Sequence, residues 1–185
     1  MANIALNSGD FVRPHRSPWG AFPIRTMKCS TGTSTQVIRV GQLVQLDAAG
    51  STSFMDCIIP VAQSSNSLNP TAAAVIGFAA ETPSTANLST AIGAQPVIPV
   101  WDANPNVEFR ARTRFGLITS SLVGQPYELH RESTLNIDVI NLAASSLATP
   151  AKLVIITGLI DSPGDSGGAV SFKFNTSSGY LAFYR

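Results

Sequence analysis

The sequence predicts a mainly β protein: a small β-barrel or β-sandwich body led by an extended N-terminal arm. Apolar residues fall in short runs separated by Gly, Pro, Ser, Thr and Asn, the punctuation expected between strands. The stretch Val107–Phe115 alternates strictly, with Val107, Phe109, Ala111, Thr113 and Phe115 on one face and Glu108, Arg110, Arg112 and Arg114 on the other. No segment outside Glu81–Gln95 offers a 3.6-residue apolar stripe, and no internal repeat is evident along the chain.

Only 12% of the 185 residues are charged while 44% are hydrophobic, against about 25% charge in an ordinary soluble domain. A compact monomer of this mass exposes roughly 8,500 Å², with just 12 basic and 11 acidic side chains to keep it wet. Such a surface suits a subunit that other proteins cover. The net charge of +1 gives no footprint for nucleic acid. The longest apolar run, Leu153–Ile160, is too short for a membrane span and is broken by Thr157 and Gly158. The opening MANIALNSGD lacks the basic and apolar regions of a secretory signal, so synthesis in a cytoplasm is expected and Cys29 and Cys57 read as buried thiols. They form no metal motif, and no cofactor is expected.

Residues 1–34 read as the arm, because Pro14, Pro18 and Pro23 remove donors and Gly9, Gly20 and Gly32 add breaks. Arg13, Arg16, Arg25 and Lys28 stand there against a single acid, Asp10, with Phe11, Trp19 and Phe22 between them. That mixture suits lying across a partner, with aromatics as anchors and arginines reaching its acids; the competing readings are a disordered tail and a strap over the chain's own core. The expected contact residues are Phe11, Arg13, Arg16, Trp19, Phe22 and Arg25. The body, residues 35–185, opens with a meander over Gln36–Val40 and Gln42–Asp47 that turns at Gly41. Strands follow at Phe54–Val61, Ala72–Ala80 and Val97–Trp101, with a loop or short helix over Glu81–Gln95, and the body divides into two β subdomains at 35–95 and 96–185. Leu135–Val139 alternates like Val107–Phe115. Ala151–Ile160 is nearly all apolar, so it is buried on both sides or sits in a subunit interface. Ala169–Phe174 and Tyr180–Tyr184 read as a closing hairpin.

Gly164-Asp165-Ser166-Gly167-Gly168 looks like the nucleophile loop of chymotrypsin-like serine proteases. The rest of that machinery is missing from the sequence. His15 and His130 are the two histidines, neither in a matching context, and few residues follow Ser166. A glycine-rich turn explains the motif better. Asp102-Ala-Asn104-Pro-Asn106 opens like a calcium loop, yet Val107 and Thr113 stand where Gly and Glu are required, so it reads as an Asx-capped turn. Arg110, Arg112 and Arg114 could meet acids of a neighbouring subunit or phosphate; a solvated strand face with Glu108 as local partner is the plainer reading. No catalytic or metal-binding set emerges, and no enzymatic activity is expected.

Three blocks resemble the head decoration (cement) proteins of tailed bacteriophages: Ile38-Arg-Val-Gly41-Gln-Leu-Val-Gln-Leu46 with Ala74-Val-Ile-Gly77-Phe-Ala-Ala80; Val100–Arg110 continuing to Leu122–Leu129; and Val154–Asp161. The resemblance implies a structural virion protein on the outer surface of an icosahedral shell, clamping neighbouring major capsid subunits. It implies a homotrimer, with a dimer as the alternative, and neither nucleic acid nor membrane as a direct partner. Another virion β subunit (minor coat, fibre base or tail component) is the alternative; a serine hydrolase is a remote one.

Overall fold

A computed structural model describes residues 2–29, 38–47, 57–64, 67–71, 74–83, 96–143 and 152–182. Thirteen strands run in chain order: β1 (Arg13–Arg16), β2 (Ile24–Cys29), β3 (Leu43–Leu46), β4 (Cys57–Pro60), β5 (Gln63–Ser64), β6 (Ser67–Leu68), β7 (Val75–Ala79), β8 (Val97–Asp102), β9 (Glu108–Arg114), β10 (Pro126–Glu132), β11 (Ile137–Asn141), β12 (Val154–Leu159) and β13 (Ala169–Phe174). The expected mainly β fold with a barrel body is what forms. β2-β4-β3-β7-β8 close into a first ring, and β9-β11-β10-β12-β13 close into a second through the β9–β13 pairing. β1 adds to the outer edge of β9, and β5–β6 is a separate hairpin.

The two rings are structural repeats. Each joins its first strand to its third in parallel and makes every other pairing antiparallel. The register also coincides in all five ladders. Cys29↔Ile58 corresponds to Thr113↔Ile140, Leu46↔Ile58 to Leu129↔Ile140, and Leu43↔Phe78 to Pro126↔Ile155. Likewise Ala79↔Val100 corresponds to Ile156↔Phe172 and Met27↔Ile98 to Ala111↔Val170. A short sequence trace accompanies this geometry: Val40-Gly-Gln-Leu-Val-Gln-Leu46 and Val123-Gly-Gln-Pro-Tyr-Glu-Leu129 agree at four of seven positions. Both glycines have positive φ, 77° at Gly41 and 84° at Gly124. Gly41 N–H donates to Ala79 O (2.7 Å) and Ala79 N–H to Gln42 O (2.9 Å); Gly124 N–H donates to Ile156 O (2.8 Å) and Ile156 N–H to Gln125 O (3.3 Å). The absence of a repeat, expected from the sequence, is therefore corrected. Outside this heptad the shared feature is backbone register, which different apolar side chains satisfy equally.

β7 serves two cores. Ile76 and Ala79 face the first ring's interior with Met27, Cys29, Val44, Ile58, Ile98 and Val100. Val75 and Phe78 belong instead to the second core, with Phe109, Phe172 and Phe174. Strict alternation would put Ile76 and Phe78 on one side, but the register against β3 shifts between Val44 and Gln45, leaving an extra residue on β7. A bulge of this kind reverses the phase of a strand. Gly77 sits in it at φ 155°, where a Cβ would lie 1.9 Å from the Trp101 carbonyl oxygen. Phe78 then packs against Phe109, Phe172 and Phe174 with ring centroids 5.3, 6.0 and 5.3 Å away.

Polar contacts fix the angle between the rings. Asp138, fully buried, takes Arg131 through both oxygens (2.8 and 3.1 Å) and accepts the Leu43 N–H of the first ring at 2.6 Å. Arg131 also donates to Val61 O (2.9 Å), and Gln42 donates to the side chain and carbonyl of Asn136. Ser67 donates to the buried carboxyl of Glu128.

Both termini cross to the other ring. The C-terminal segment does not hairpin onto β13 as expected. Asn175 caps a short 3₁₀ turn at Thr176–Ser178, Gly179 (φ 73°) redirects the chain, and Leu181 bridges Val75 of the first ring. Of the arm expected over 1–34, Val12 is fully buried in the second core and Arg13–Arg16 pair with β9, while Ile24–Cys29 is a full strand of the first ring. The strap reading is thus the one the geometry shows for residues 2–16; 30–34 lie outside the described residues. The expected boundary at 95/96 also moves, because β8 closes the first ring and the second begins at β9. The strand expected at Gln36–Val40 is not formed at 38–40, where the chain turns and Ile38 is buried; 36–37 and most of the segment expected as loop or helix (84–95) lie outside the described residues. β12 buries Val154 and Ile156 and leaves its other positions half-buried, so it is not covered on both sides among the described residues.

Two predictions follow from these contacts. A Cβ at Gly124 would meet nothing within 4 Å, whereas one at Gly41 would lie 2.7 Å from Phe11 Cβ and 2.8 Å from the Val12 backbone. Gly124→Ala should therefore cost only backbone strain, about 1–2 kcal/mol, and Gly41→Ala clearly more in urea denaturation. Equal losses would mean that the strap does not cross Gly41. Burial also raises the Glu128 carboxyl above its ordinary value of 4.5, partly offset by Ser67 and Lys152. With the folded-state pKa the higher, stability is complete below the unfolded value and falls as pH rises through the folded one. Gln45 holds the equivalent position in the first ring, so Glu128→Gln should raise Tm at pH 7–8 by a few degrees and leave it nearly unchanged at pH 4. A lower Tm at pH 7 would show that the carboxylate is a needed partner.

Candidate partner-binding site

The strap begins in the Gly164–Gly168 loop. Ser166 N–H donates to Ala2 O and Ile4 N–H to Ser166 O, both at 2.9 Å, and Asp165 Oδ1 accepts Ala2 N–H at 2.8 Å. A Cβ at Gly167 would lie 2.6 Å from Ile4 O, and one at Gly168 would lie 2.5 Å from Ile118 Cδ1. The glycines are there for close approach of the strap and of Ile118, and the protease-like motif is a docking loop for the N-terminal segment. Asp102–Asn106 is an Asx turn, with Asn104 Oδ1 accepting Asn106 N–H at 2.9 Å.

Arg112 then fastens the strap to the body. Its Nε donates to Asp10 at 3.0 Å and its Nη1 to Asp161 at 2.5 Å, joining strap, β9 and the end of β12. Arg114 is held by Glu132 through two hydrogen bonds, 2.8 and 3.2 Å, which keep that carboxyl below the usual range. Of the arginine row, only Arg110 has no acid in hydrogen-bond range among the described residues. β1 lies antiparallel against it with Arg13 facing Arg110, Pro14 facing Phe109 and Arg16 facing Glu108. His15 is the extra residue of a bulge in β1. Burial, then the charges of Arg16, Arg110 and Arg13, lower its pKa against the opposing pull of Glu108.

Past β1 the chain turns at Ser17–Gly20, with Gly20 at φ 72°, and presents Trp19 at 59% exposure. The expected contact residues therefore divide. Arg13, Arg16 and Trp19 face outward. Phe11 is half-buried beside Gly41, Phe22 packs on the second core, and Arg25 is taken by Asp102 at 2.9 Å. Sequence reasoning missed Ile24 and Thr26, which occupy on β2 the register positions of Glu108 and Arg110 on β9. β1 half-covers the latter two; Ile24 and Thr26 are exposed, and β4, which takes that edge of β2 at Lys28 and Cys29, leaves Ile24–Met27 without a strand partner there among the described residues. The equivalence of the rings is the signal that finds them. Phe115 departs from the expected alternation: its φ of 61° turns it out to 50% exposure, with its ring 5.1 Å from that of His130. Cys29 and Cys57 are both buried, and burial, then Cys57, pushes the Cys29 thiol up to about 11.

No protein-family model, curated protein or solved structure matches this chain.

Proposed function

We propose that this chain is a structural virion protein that decorates an icosahedral phage head and clamps neighbouring major capsid subunits as a homo-oligomer, a trimer before a dimer. One observation supports the reading most: the strap leaves Arg13, Arg16 and Trp19 outward, and Ile24–Thr26 of β2 has one edge without a strand partner among the described residues, with Ile24 59% exposed. Exposed tryptophan and arginine are the residue types that dominate association energies. A bare edge can add a partner's strand through main-chain hydrogen bonds. The low charge of the chain and its resemblance to cement proteins agree with a subunit whose surfaces are meant to be covered. The rigid seating of residues 2–16 makes the strap a preformed contact, so binding does not bear the cost of ordering them.

In co-sedimentation, the purified oligomer should bind expanded shells saturably and ignore compact precursor shells. Trp19→Ala, which alters an exposed side chain, should weaken that binding about 30-fold while leaving Tm unchanged. A monomer that ignores expanded shells, or undiminished binding by the variant, contradicts the proposal.

A further inference from the structure

Arg13 and Arg110 stand opposite each other in an antiparallel ladder, where like charges destabilise the pair. Two other arginines of this face are matched by acids: Arg112 with Asp10 and Asp161, and Arg114 with Glu132; Arg16 has Glu108 as its register partner. Neither Arg13 nor Arg110 has an acid in hydrogen-bond range among the described residues. Both border a shallow depression floored by Ala111, Ala169 and Gly9, with Asp10 and Arg112 on its wall. Arg110 is half-buried on a central strand and Arg13 exposed on the strap, so one guanidinium is fixed and the other can adjust.

We propose that Arg13 and Arg110 form a fork for a carboxylate borne by an acidic segment of the protein partner. This rests on the reading above that the strap is the contact surface. A carboxylate fits because it is planar and singly charged, and guanidinium pairs take it in bidentate fashion. A phosphate dianion would meet Asp10 in the same wall. The net charge of +1 also supplies no wider basic field of the kind that draws in a polyphosphate. The opposed arginines therefore store an unfavourable contact that the partner's acid relieves, and this makes the site selective for acidic segments over neutral ones.

The test is calorimetric titration of the full chain at low salt with a hexaglutamate peptide, with inorganic phosphate as the competing anion. Saturable hexaglutamate binding, weakened about tenfold or more by Arg110→Gln and by Arg13→Glu, supports the fork. Arg110→Glu should abolish binding and at the same time raise Tm, because the new carboxylate faces Arg13; a purely structural arginine would lower Tm when replaced. Absence of hexaglutamate binding, phosphate binding of equal strength, or unchanged affinity in the Arg110→Gln and Arg13→Glu variants overturns the fork. Failure here with Trp19-dependent shell binding intact removes the fork and leaves the decoration role standing. Hexaglutamate binding by a chain that ignores shells keeps the fork and removes that role.

Discussion

Phe78 is the side chain on which the two halves of this molecule depend. It leaves the ring that carries it and enters the aromatic cluster of the other, touching Phe109, Phe172 and Phe174. Truncating a fully buried phenylalanine costs about 3–5 kcal/mol, a large share of the total stability of a domain. The placement depends on Gly77, whose bulge reverses the phase of β7 so that one short strand fills two cores. Around this apolar contact, Arg131, Asp138, Gln42 and Asn136 fix the orientation. Their role is alignment more than net stabilisation, since a buried ion pair roughly repays its own desolvation while a broken one is expensive.

The exchange of terminal segments follows from the same economy of surface. Each terminus reaches the other half: Val12 enters the second core, and the Tyr180–Ala182 backbone bonds to Val75 of β7, with Leu181 in the second core and Ala182 against the first. The rings are equivalent in register yet unequal at their edges. β9 is covered by β1 at the place where, among the described residues, β2 is bare. An internal repeat with one filled and one open edge is a way to build a binding edge while keeping the rest of the sheet closed. The strap thus fastens the halves and carries the outward residues, whose placement is set by the fold and not by a flexible tail.

Much of the fold was legible in the residues. The period-two pattern of Val107–Thr113 reads directly as β9 because one face is buried and the other half-covered; the strands at 57–60 and 75–79 fall inside their expected runs, and the one at 97–102 runs one residue past its expected end. Phe115 escaped because a positive φ in a bulky residue leaves no trace in the pattern. Asp138 escaped because an alternating charge normally marks a wet face, whereas here Arg131 and the Leu43 amide take it inside. The repeat was nearly invisible, since strand register is a backbone property and Arg25–Asp102 in one ring stands where Phe109–Phe174 stand in the other. At the candidate site, residue type alone marked Arg13, Arg16 and Trp19. It could not show that Arg25 and Phe22 are consumed internally, or that Ile24 and Thr26 line a bare edge, because both depend on what lies across from them.

Hydrogen exchange of the chain, free and attached to expanded shells, tests the central claim that one strap both locks the rings and meets the partner. The account predicts slow exchange at Val12 and in β1 already in the free protein, with added protection on attachment concentrated between Ser17 and Thr26. Exchange of residues 2–16 at the rate of an unfolded chain, or protection gained only on surfaces away from the strap, would contradict it.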